Sequence, residues 1–161
     1  MFLHDVFSPE SIKLNLEAED KDEVFEEMVD HLCHASVHAD KSNMRDEILR
    51  ALTEREAKMS TGIQKGIAIP HGNTNAVHTI CGVLGISRKG IDYDALDGEP
   101  VYMLFMLVAP RKDTEQHLQI LKRLAEMLEN PQFYVELQSQ SDEQGANRII
   151  RKYEDMLATL G

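Results

Sequence analysis

The sequence predicts an α/β fold, and two patterns along the chain support this class. Short apolar runs alternate with longer segments in which apolar residues recur every three or four positions. The run VYMLFMLVAP, residues 101–110, is apolar on both faces, as expected of a central strand. Internal repeats and low-complexity stretches are lacking in the sequence, so we expect a single domain over residues 1–161.

A strand and two helices are predicted first. Ile12, Leu14 and Leu16 alternate with polar neighbours, which is typical of a strand, and Asp20 with Glu23 forms a candidate capping box for the following helix. That helix is expected to bury Val24, Phe25, Met28, Val29, Leu32 and Cys33. A second helix is expected to begin near Asn43 and to bury Met44, Ile48, Leu49 and Leu52.

Three strands and three helices are predicted in the rest of the chain. The strands are GIAIPHG (66–72), ICGVLGIS (80–87) and residues 101–110, with turns predicted at RKG (88–90) and DALDG (94–98). A third helix starts near Asp113 and Thr114. Asn130 followed by Pro131 indicates the start of a fourth. Ser141 with Gln144 is the expected cap of the last helix.

Composition and charge narrow the class of protein. The 161 residues carry a formal net charge of -11, which would repel a phosphate backbone, so nucleic acid is not expected as a partner. The sequence has no apolar run near the roughly 20 residues that span a bilayer, so we expect no direct membrane insertion and a cytoplasmic location. Cys33 and Cys81 stand far apart in apolar contexts and are expected to be core residues.

The stretch GIAIPHG provides the first candidate site residue, His71. Since Pro70 cannot donate to a sheet ladder, His71 is expected just past a strand end, where ligands of open α/β sheets collect. Gly66 and Gly72 have no side chains, which would let an anion or a partner's backbone approach the imidazole. The alternative is a plain turn in which His71 is a surface residue without function.

His117 and Arg55 are the other candidates. His117 falls in the first turn of the third predicted helix, on its apolar stripe, where a helix N-terminus attracts anions and favours neutral imidazole. Arg55 lies at a helix end before Ser60-Thr61-Gly62, and its donors suit phosphoryl oxygens. The alternatives are a buried histidine bonded to a backbone carbonyl and an arginine that interacts only with the helix C-terminus.

Three stretches together, STGIQKGIAIPHG, LDGEPVYMLFMLVAP and HLQILKRLAEML, resemble a known family. This family is the enzyme IIA domain of the mannitol/fructose class in the bacterial phosphoenolpyruvate-dependent phosphotransferase system, and it includes the nitrogen-regulatory IIA proteins. The resemblance covers nearly the whole chain. It implies a central mixed β-sheet flanked by helices on both faces, and a phosphotransferase component that forms a phosphohistidine without a cofactor or metal.

The resemblance also assigns roles to residues. His71 matches the phosphorylated histidine, modified on Nε2, His117 the second active-site histidine, and Arg55 the arginine beside them. The implied donor is phospho-HPr, and the implied acceptor in sugar transport is a cysteine of a IIB domain. Thr61, Gly62 and Gly72 are weaker candidates for pocket walls. Glu56 is expected to orient a neighbour.

Two functions remain open at this point. The chain is either a transport phosphocarrier or a regulatory protein whose phosphorylation state controls binding to partners, and both use His71. The sequence does not decide whether the chain is complete or one domain of a longer protein, nor which sugar or oligomeric state is involved. His31, His34 and His38 share a helix stripe that could hold Zn²⁺, but a solvated polar face is the expected reading.

Overall fold

The computed structural model describes residues 1–35, 41–63 and 65–160. Within those ranges the strands are β1 (Ile12–Lys13), β2 (Ile67–Ala68), β3 (His71–Asn73), β4 (Cys81–Ile91) and β5 (Val101–Ala109). The helices are α1 (Leu3–Val6), α2 (Lys21–Ala35), α3 (Lys41–Lys58), α4 (Thr114–Leu128), α5 (Pro131–Gln138) and α6 (Glu143–Leu160). Two 3-10 turns, Pro9–Ser11 and Arg111–Asp113, precede β1 and α4.

The strands form one mixed sheet in the order β1-β4-β5-β2, with β3 also paired to β5. β4 and β5 are antiparallel, whereas β1 runs parallel to β4, and β2 and β3 run parallel to β5. β2 and β3 therefore follow one another along the same edge of β5. This arrangement confirms the predicted mixed sheet and the central position of β5.

Helices cover both faces of the sheet. On one face, Leu84, Met103 and Phe105 pack with α1, α4, α5 and α6. On the other face, Val83, Leu104 and Met106 pack with α2 and α3. Successive residues of β5 point to opposite faces, so one apolar strand contributes to both clusters.

The apolar faces of the early helices follow the prediction. All six residues expected to be buried on α2 are buried, as are Met44, Ile48 and Leu52 on α3, while Leu49 is partly buried. Near the start of α2, Asp20 Oδ1 accepts a hydrogen bond from the Glu23 amide at 2.9 Å. The Glu23 carboxylate accepts from the amide of Glu19 at 2.8 Å, one residue before the partner that a capping box predicts.

The later helix starts are confirmed in one case and corrected in another. Asn130 Oδ1 accepts from the Gln132 amide at 3.0 Å, and Pro131 is the first residue of α5, as predicted. For α6 the prediction of Ser141 as the cap is wrong. Asp142 Oδ1 accepts from the Gly145 amide at 2.6 Å, because the helix begins at Glu143 and places the acceptor one residue later.

Two strand predictions are corrected as well. The first strand covers only Ile12–Lys13, although Leu14 and Leu16 are buried as the alternation indicated. RKG does not end the strand ICGVLGIS, since β4 continues to Ile91 with a register shift between Ile86 and Ile91. Gly90 has φ of +91°, which lets the backbone accommodate this irregularity.

None of the helices in the described ranges is both long enough and apolar enough to span a bilayer. The cytoplasmic location stays a prediction.

Candidate active site

A cavity of about 380 Å³ lies between the C-terminal end of α3, strand β3 and the first turns of α4. All three predicted site residues, Arg55, His71 and His117, line it. They come from three different elements, so their proximity is a product of the tertiary fold. Residues that also line the cavity include Glu54, Lys58, Gly72, Asn73 and Thr114.

His71 lies at the start of β3 rather than past a strand end, which corrects the prediction. Pro70 does interrupt the edge strand, since β2 ends at Ala68, but pairing with β5 resumes at His71 opposite Leu107. The break is tolerated because the Pro70 carbonyl still accepts a hydrogen bond from the Leu107 amide at 2.9 Å. The imidazole is therefore held by a strand.

The protonation state of His71 follows from its hydrogen bond. Nδ1 lies 2.8 Å from the carbonyl oxygen of Ile69, which can only accept, so Nδ1 carries the proton and Nε2 keeps its lone pair. Burial lowers the pKa of His71, and the Arg55 guanidinium lowers it further, whereas the Ile69 carbonyl and Glu56 act in the opposite direction. The neutral ring presents Nε2 as a nucleophile near neutral pH.

His117 is almost completely buried, with 3% of its surface exposed, and its ring faces inward as predicted. Nδ1 lies 2.8 Å from Oδ1 of Asn73, an oxygen that accepts, so Nδ1 carries the proton here too. Nε2 is buried and has no hydrogen-bond partner among the described residues. Burial, followed by the influence of His71, lowers the pKa of His117 to about 4, so the predicted neutral form stands, with burial as its main cause.

Arg55 interacts with the end of its own helix and also lines the cavity. Its Nη1 donates to the carbonyl oxygen of Met59 at 2.8 Å, which stabilises the C-terminal end of α3. The same residue lines the cavity and acts electrostatically on His71. Its guanidinium is therefore oriented by the backbone and available to an anion.

The loop after α3 serves a structural purpose that the sequence did not reveal. Thr61 is buried, and its hydroxyl and amide both donate to the carboxylate of Glu56, at 2.6 and 2.8 Å. Lys21 and Tyr93 contact the same carboxylate. Thr61 and Gly62 do not line the cavity within the described structure, so their assignment as pocket walls is wrong. Glu56 does orient a neighbour, namely Thr61.

Gly72 lines the cavity, but its lack of a side chain has an internal reason. A Cβ at this position would lie 3.0 Å from the carbonyl carbon and 3.1 Å from the carbonyl oxygen of Ala51 on α3. Gly66 has φ of +81°, a conformation that favours glycine. Close packing therefore explains the glycine at position 72 and backbone conformation the one at position 66, while the predicted room for an approaching partner stays a prediction.

Sequence reasoning missed Glu54, Lys58 and Asn73. Lys58 lies three residues after Arg55 on the same helix, a spacing that places both cations on one side. Asn73 lies two residues after His71 in a strand and so shares its face. With Arg55 and Lys58 against Glu54, the charged lining of the cavity is net positive in a chain of net charge -11. This local charge suits an anionic ligand.

The histidine stripe of α2 does not form a metal site in the part of the chain that can be described. Nε2 of His31 lies 2.9 Å from the carbonyl oxygen of Glu10, and His34 is exposed. His38 lies outside the described residues. Within the described ranges, no group of three or more His, Cys, Asp or Glu residues is arranged to hold a metal ion.

Comparison with known proteins gives a consistent result. Residues 5–153 match the family model described as "Phosphoenolpyruvate-dependent sugar phosphotransferase system, EIIA 2". The fructose-specific EIIABC component of Bacillus subtilis (strain 168) is 34% identical over 154 residues, or 96% of this chain. The chain spans only 24% of the length of that relative.

Two regulatory proteins match over nearly their full lengths. The nitrogen regulatory protein of Bradyrhizobium diazoefficiens is 26% identical over 150 residues, which cover 93% of this chain and 95% of the relative. The crystal structure of nitrogen regulatory protein IIA-Ntr from Neisseria meningitidis superimposes with a TM-score of 0.82 and 28% identity, covering 92% of this chain and 98% of the other.

Proposed function

Because this chain belongs to the EIIA 2 family of the phosphoenolpyruvate-dependent sugar phosphotransferase system, we propose that it is a phosphocarrier in which His71 forms a transient phosphohistidine. Residues 1–161 then form one domain of this family. The phosphoryl group arrives from a phosphorylated donor protein, is held on Nε2 of His71, and leaves to an acceptor protein.

The hydrogen bond from His71 Nδ1 to the carbonyl of Ile69 carries the proposal. It leaves the Nε2 lone pair free to attack phosphorus without the help of a general base. As the new N–P bond forms, the bond between phosphorus and the donor protein breaks, and its electron pair returns to the donor atom. Nδ1 keeps its proton, so the phosphorylated ring is cationic and is a good leaving group for the next transfer.

The charges that line the cavity support the same reaction. Phosphoryl transfer depends on positioning and on donors that meet the negative charge of the equatorial oxygens. Arg55 offers a planar set of N–H donors, and Lys58 adds a second cation. His117 lies beside His71, with ring centroids 5.9 Å apart, close enough to contact a group bound on Nε2.

We assign phospho-HPr as the donor and the cysteine of a IIB domain as the acceptor, as the family resemblance implies. The fructose-specific relative supports a role in sugar transport. The alternative is regulation, in which phosphorylation of His71 changes the affinity for a target protein. The nitrogen regulatory relatives support it, because they match this chain over almost their whole lengths.

The test is a reconstituted relay. Incubation with phosphoenolpyruvate, enzyme I and HPr should add the mass of one phosphoryl group to the wild type and none to the His71→Ala variant. His78→Ala is the matched control, because His78 is exposed and lies outside the cavity lining. Full labelling of His71→Ala would refute the nucleophile assignment.

A second step separates the two functions. Addition of candidate IIB domains to the phosphorylated protein should discharge it if the chain serves transport. Binding to a partner that changes on phosphorylation, without discharge to any IIB domain, would instead favour regulation.

A further inference from the structure

We propose that Asn73 is a positioning residue that fixes the ring of His117 and supports its protonation when a phosphoryl group occupies His71, an inference that rests on the proposed function. Asn73 belongs to β3 and His117 to α4, so this contact joins the two elements that bring the histidines together.

Strand geometry places Asn73 where it can do this. His71 and Asn73 share one face of β3, while Gly72 points the other way and packs on Ala51. Main-chain pairing of β3 with β5 fixes both, with His71 opposite Leu107 and Asn73 opposite Ala109. The side-chain oxygen of Asn73 then lies 2.8 Å from Nδ1 of His117. The residue is thus supported by the sheet, and it holds an imidazole on the neighbouring helix.

This contact determines the tautomer of His117. Since the amide oxygen accepts, the single proton of the neutral ring sits on Nδ1, and Nε2 retains a lone pair. Nε2 is buried without a hydrogen-bond partner among the described residues. A buried polar atom left in this state is costly, and such atoms are otherwise rare in folded proteins. The unpartnered Nε2 therefore indicates a ligand that forms a hydrogen bond with it.

A phosphoryl group on His71 can form a hydrogen bond with Nε2 of His117 only if Nε2 also gains a proton. Phosphoryl oxygens accept hydrogen bonds, so they would repel the bare lone pair of His117 Nε2. Uptake of one proton from solvent turns Nε2 into a donor to a phosphoryl oxygen. Asn73 Oδ1 continues to accept from Nδ1, and its hydrogen bond strengthens because the ring is now charged. Asn73 therefore favours the protonated ring in the loaded state.

The charged groups around His117 agree with this change. From α3, the cavity lining includes Glu54, Arg55 and Lys58, and from β3 it includes His71. The lining residues of α4 itself, Thr114, Leu118 and Leu121, are uncharged. Before phosphorylation, burial and then the neighbouring His71 lower the pKa of His117 and so oppose a charged ring. A phosphoryl group on His71 adds two negative charges beside His117, which favours the charged ring.

The first test uses the unphosphorylated protein and needs no phosphorylation partner. Nitrogen-15 NMR of the histidine-labelled wild-type protein should show that His117 is protonated on Nδ1 and unprotonated on Nε2. Asn73→Leu, which removes the acceptor at similar volume, should shift the ring toward the Nε2-protonated tautomer. Asn73→Asp keeps an acceptor oxygen and should preserve the wild-type tautomer of His117. This variant therefore still tests the role of the acceptor if Asn73→Leu fails to fold. Asn15→Leu is the matched control, since Asn15 is exposed and off the cavity lining.

The second test repeats the measurement after loading with phosphoenolpyruvate, enzyme I and HPr. His117 should become doubly protonated near pH 7 in the wild type. In Asn73→Leu this protonation should occur about one pH unit lower, which corresponds to a tenfold lower proton affinity. Loading of His71 at pH 8 should fall about tenfold in Asn73→Leu and stay unchanged in Asn15→Leu.

Each failure has a distinct meaning. A wild-type His117 protonated on Nε2 before loading, or an unchanged tautomer in Asn73→Leu, overturns the role of Asn73. A loaded wild type in which His117 stays neutral overturns the protonation step. Failure of the wild type to accept a phosphoryl group on His71 refutes the proposed function and the protonation step together, while the tautomer test still decides the role of Asn73 in positioning the ring.

Discussion

The imidazole rings of His71 and His117 lie 5.9 Å apart, centroid to centroid, and are inclined at 78° in an edge-to-face arrangement. Each ring donates its Nδ1 proton to an oxygen, that of Ile69 or of Asn73. The two residues nevertheless differ in surroundings, because His71 is half-buried and His117 is almost fully buried. Under the proposed function we therefore expect the more accessible ring of His71 to exchange the phosphoryl group and the buried ring of His117 to stabilise it.

His117→Ala is expected to permit some loading of His71 but to slow transfer. The variant keeps the nucleophile and loses the imidazole that, once protonated, donates to the phosphoryl oxygens. We expect a loss in rate of about 10²–10³, as for removal of an oxyanion-hole donor. Rapid-quench measurement of phosphoryl transfer from phospho-HPr checks this, with His78→Ala as the control. Wild-type rates in His117→Ala would contradict the role of His117.

Arg55→Ala should separate activity from stability. Loss of the guanidinium removes a cation from the cavity, and we expect transfer to slow by about 100-fold. The hydrogen bond to the Met59 carbonyl is also lost, but a cation at a helix C-terminus contributes only about 0.3–1 kcal/mol. Urea unfolding and the transfer assay measure the two effects. Arg50→Ala, on an exposed position of α3, is the control. A loss of stability with an intact rate would assign Arg55 to helix capping alone.

Gly72→Ala is expected to destabilise the protein by about 1–3 kcal/mol, because its Cβ would crowd the backbone of Ala51. The crowding should also push β3 away from α3 and weaken loading of His71. Gly98→Ala is the comparison, since nothing lies within 4 Å of its added Cβ and its φ of +74° adds only backbone strain. Unfolding in urea measures both variants. If Gly72→Ala and Gly98→Ala lose the same stability and His71 is still loaded normally in Gly72→Ala, crowding at Gly72 is unimportant.

Glu56→Gln should destabilise the protein by about 3 kcal/mol or more. Although burial acts to raise the pKa of Glu56, hydrogen bonds from Thr61 and Lys21 outweigh it and lower the pKa, so the carboxylate is charged. The variant leaves Lys21 without its ion-pair partner, whose nitrogen lies 3.0 Å from the carboxylate. Adding Lys21→Met should recover part of the loss. Glu47→Gln, at an exposed position of the same helix, should change stability by less than about 0.5 kcal/mol. A loss in Glu47→Gln equal to that in Glu56→Gln would contradict this prediction.

Stability should also depend on pH through His117. Its pKa is about 4 in the folded protein against an ordinary value of 6.5, so between those limits the unfolded chain binds more protons. Stability is therefore present above about pH 6.5 and is lost as pH falls toward 4, by an amount on the order of 3 kcal/mol. His117→Gln lacks this group, while the remaining histidines contribute equally to both proteins. Urea unfolding from pH 4 to 7.5 should show a shallower pH dependence in His117→Gln, and parallel curves would count against a neutral buried His117.

Much of the fold could be predicted from the sequence because its elements carry their own periodicity. Met28 and Leu32 recur at helical spacing, and both are buried where α2 packs on the sheet. The continuous apolar run of β5 indicated a strand covered on both faces, as found. Less predictable were the cap of α6 and the irregularity at Gly90, because a shift of one residue in a helix start or a strand register leaves the local pattern almost unchanged.

For the site, the sequence by itself determined which residues are candidates for the reactive chemistry: His71 in its motif, His117 at a helix start and Arg55 at a helix end. Only the tertiary structure decided that they share one cavity, that Asn73 and Lys58 join them, and that Gly72 serves packing against Ala51. The reason is physical. Periodicity records which face of each element is buried, whereas the distance between residues 55, 71 and 117 depends on how α3, β3 and α4 pack across long stretches of chain.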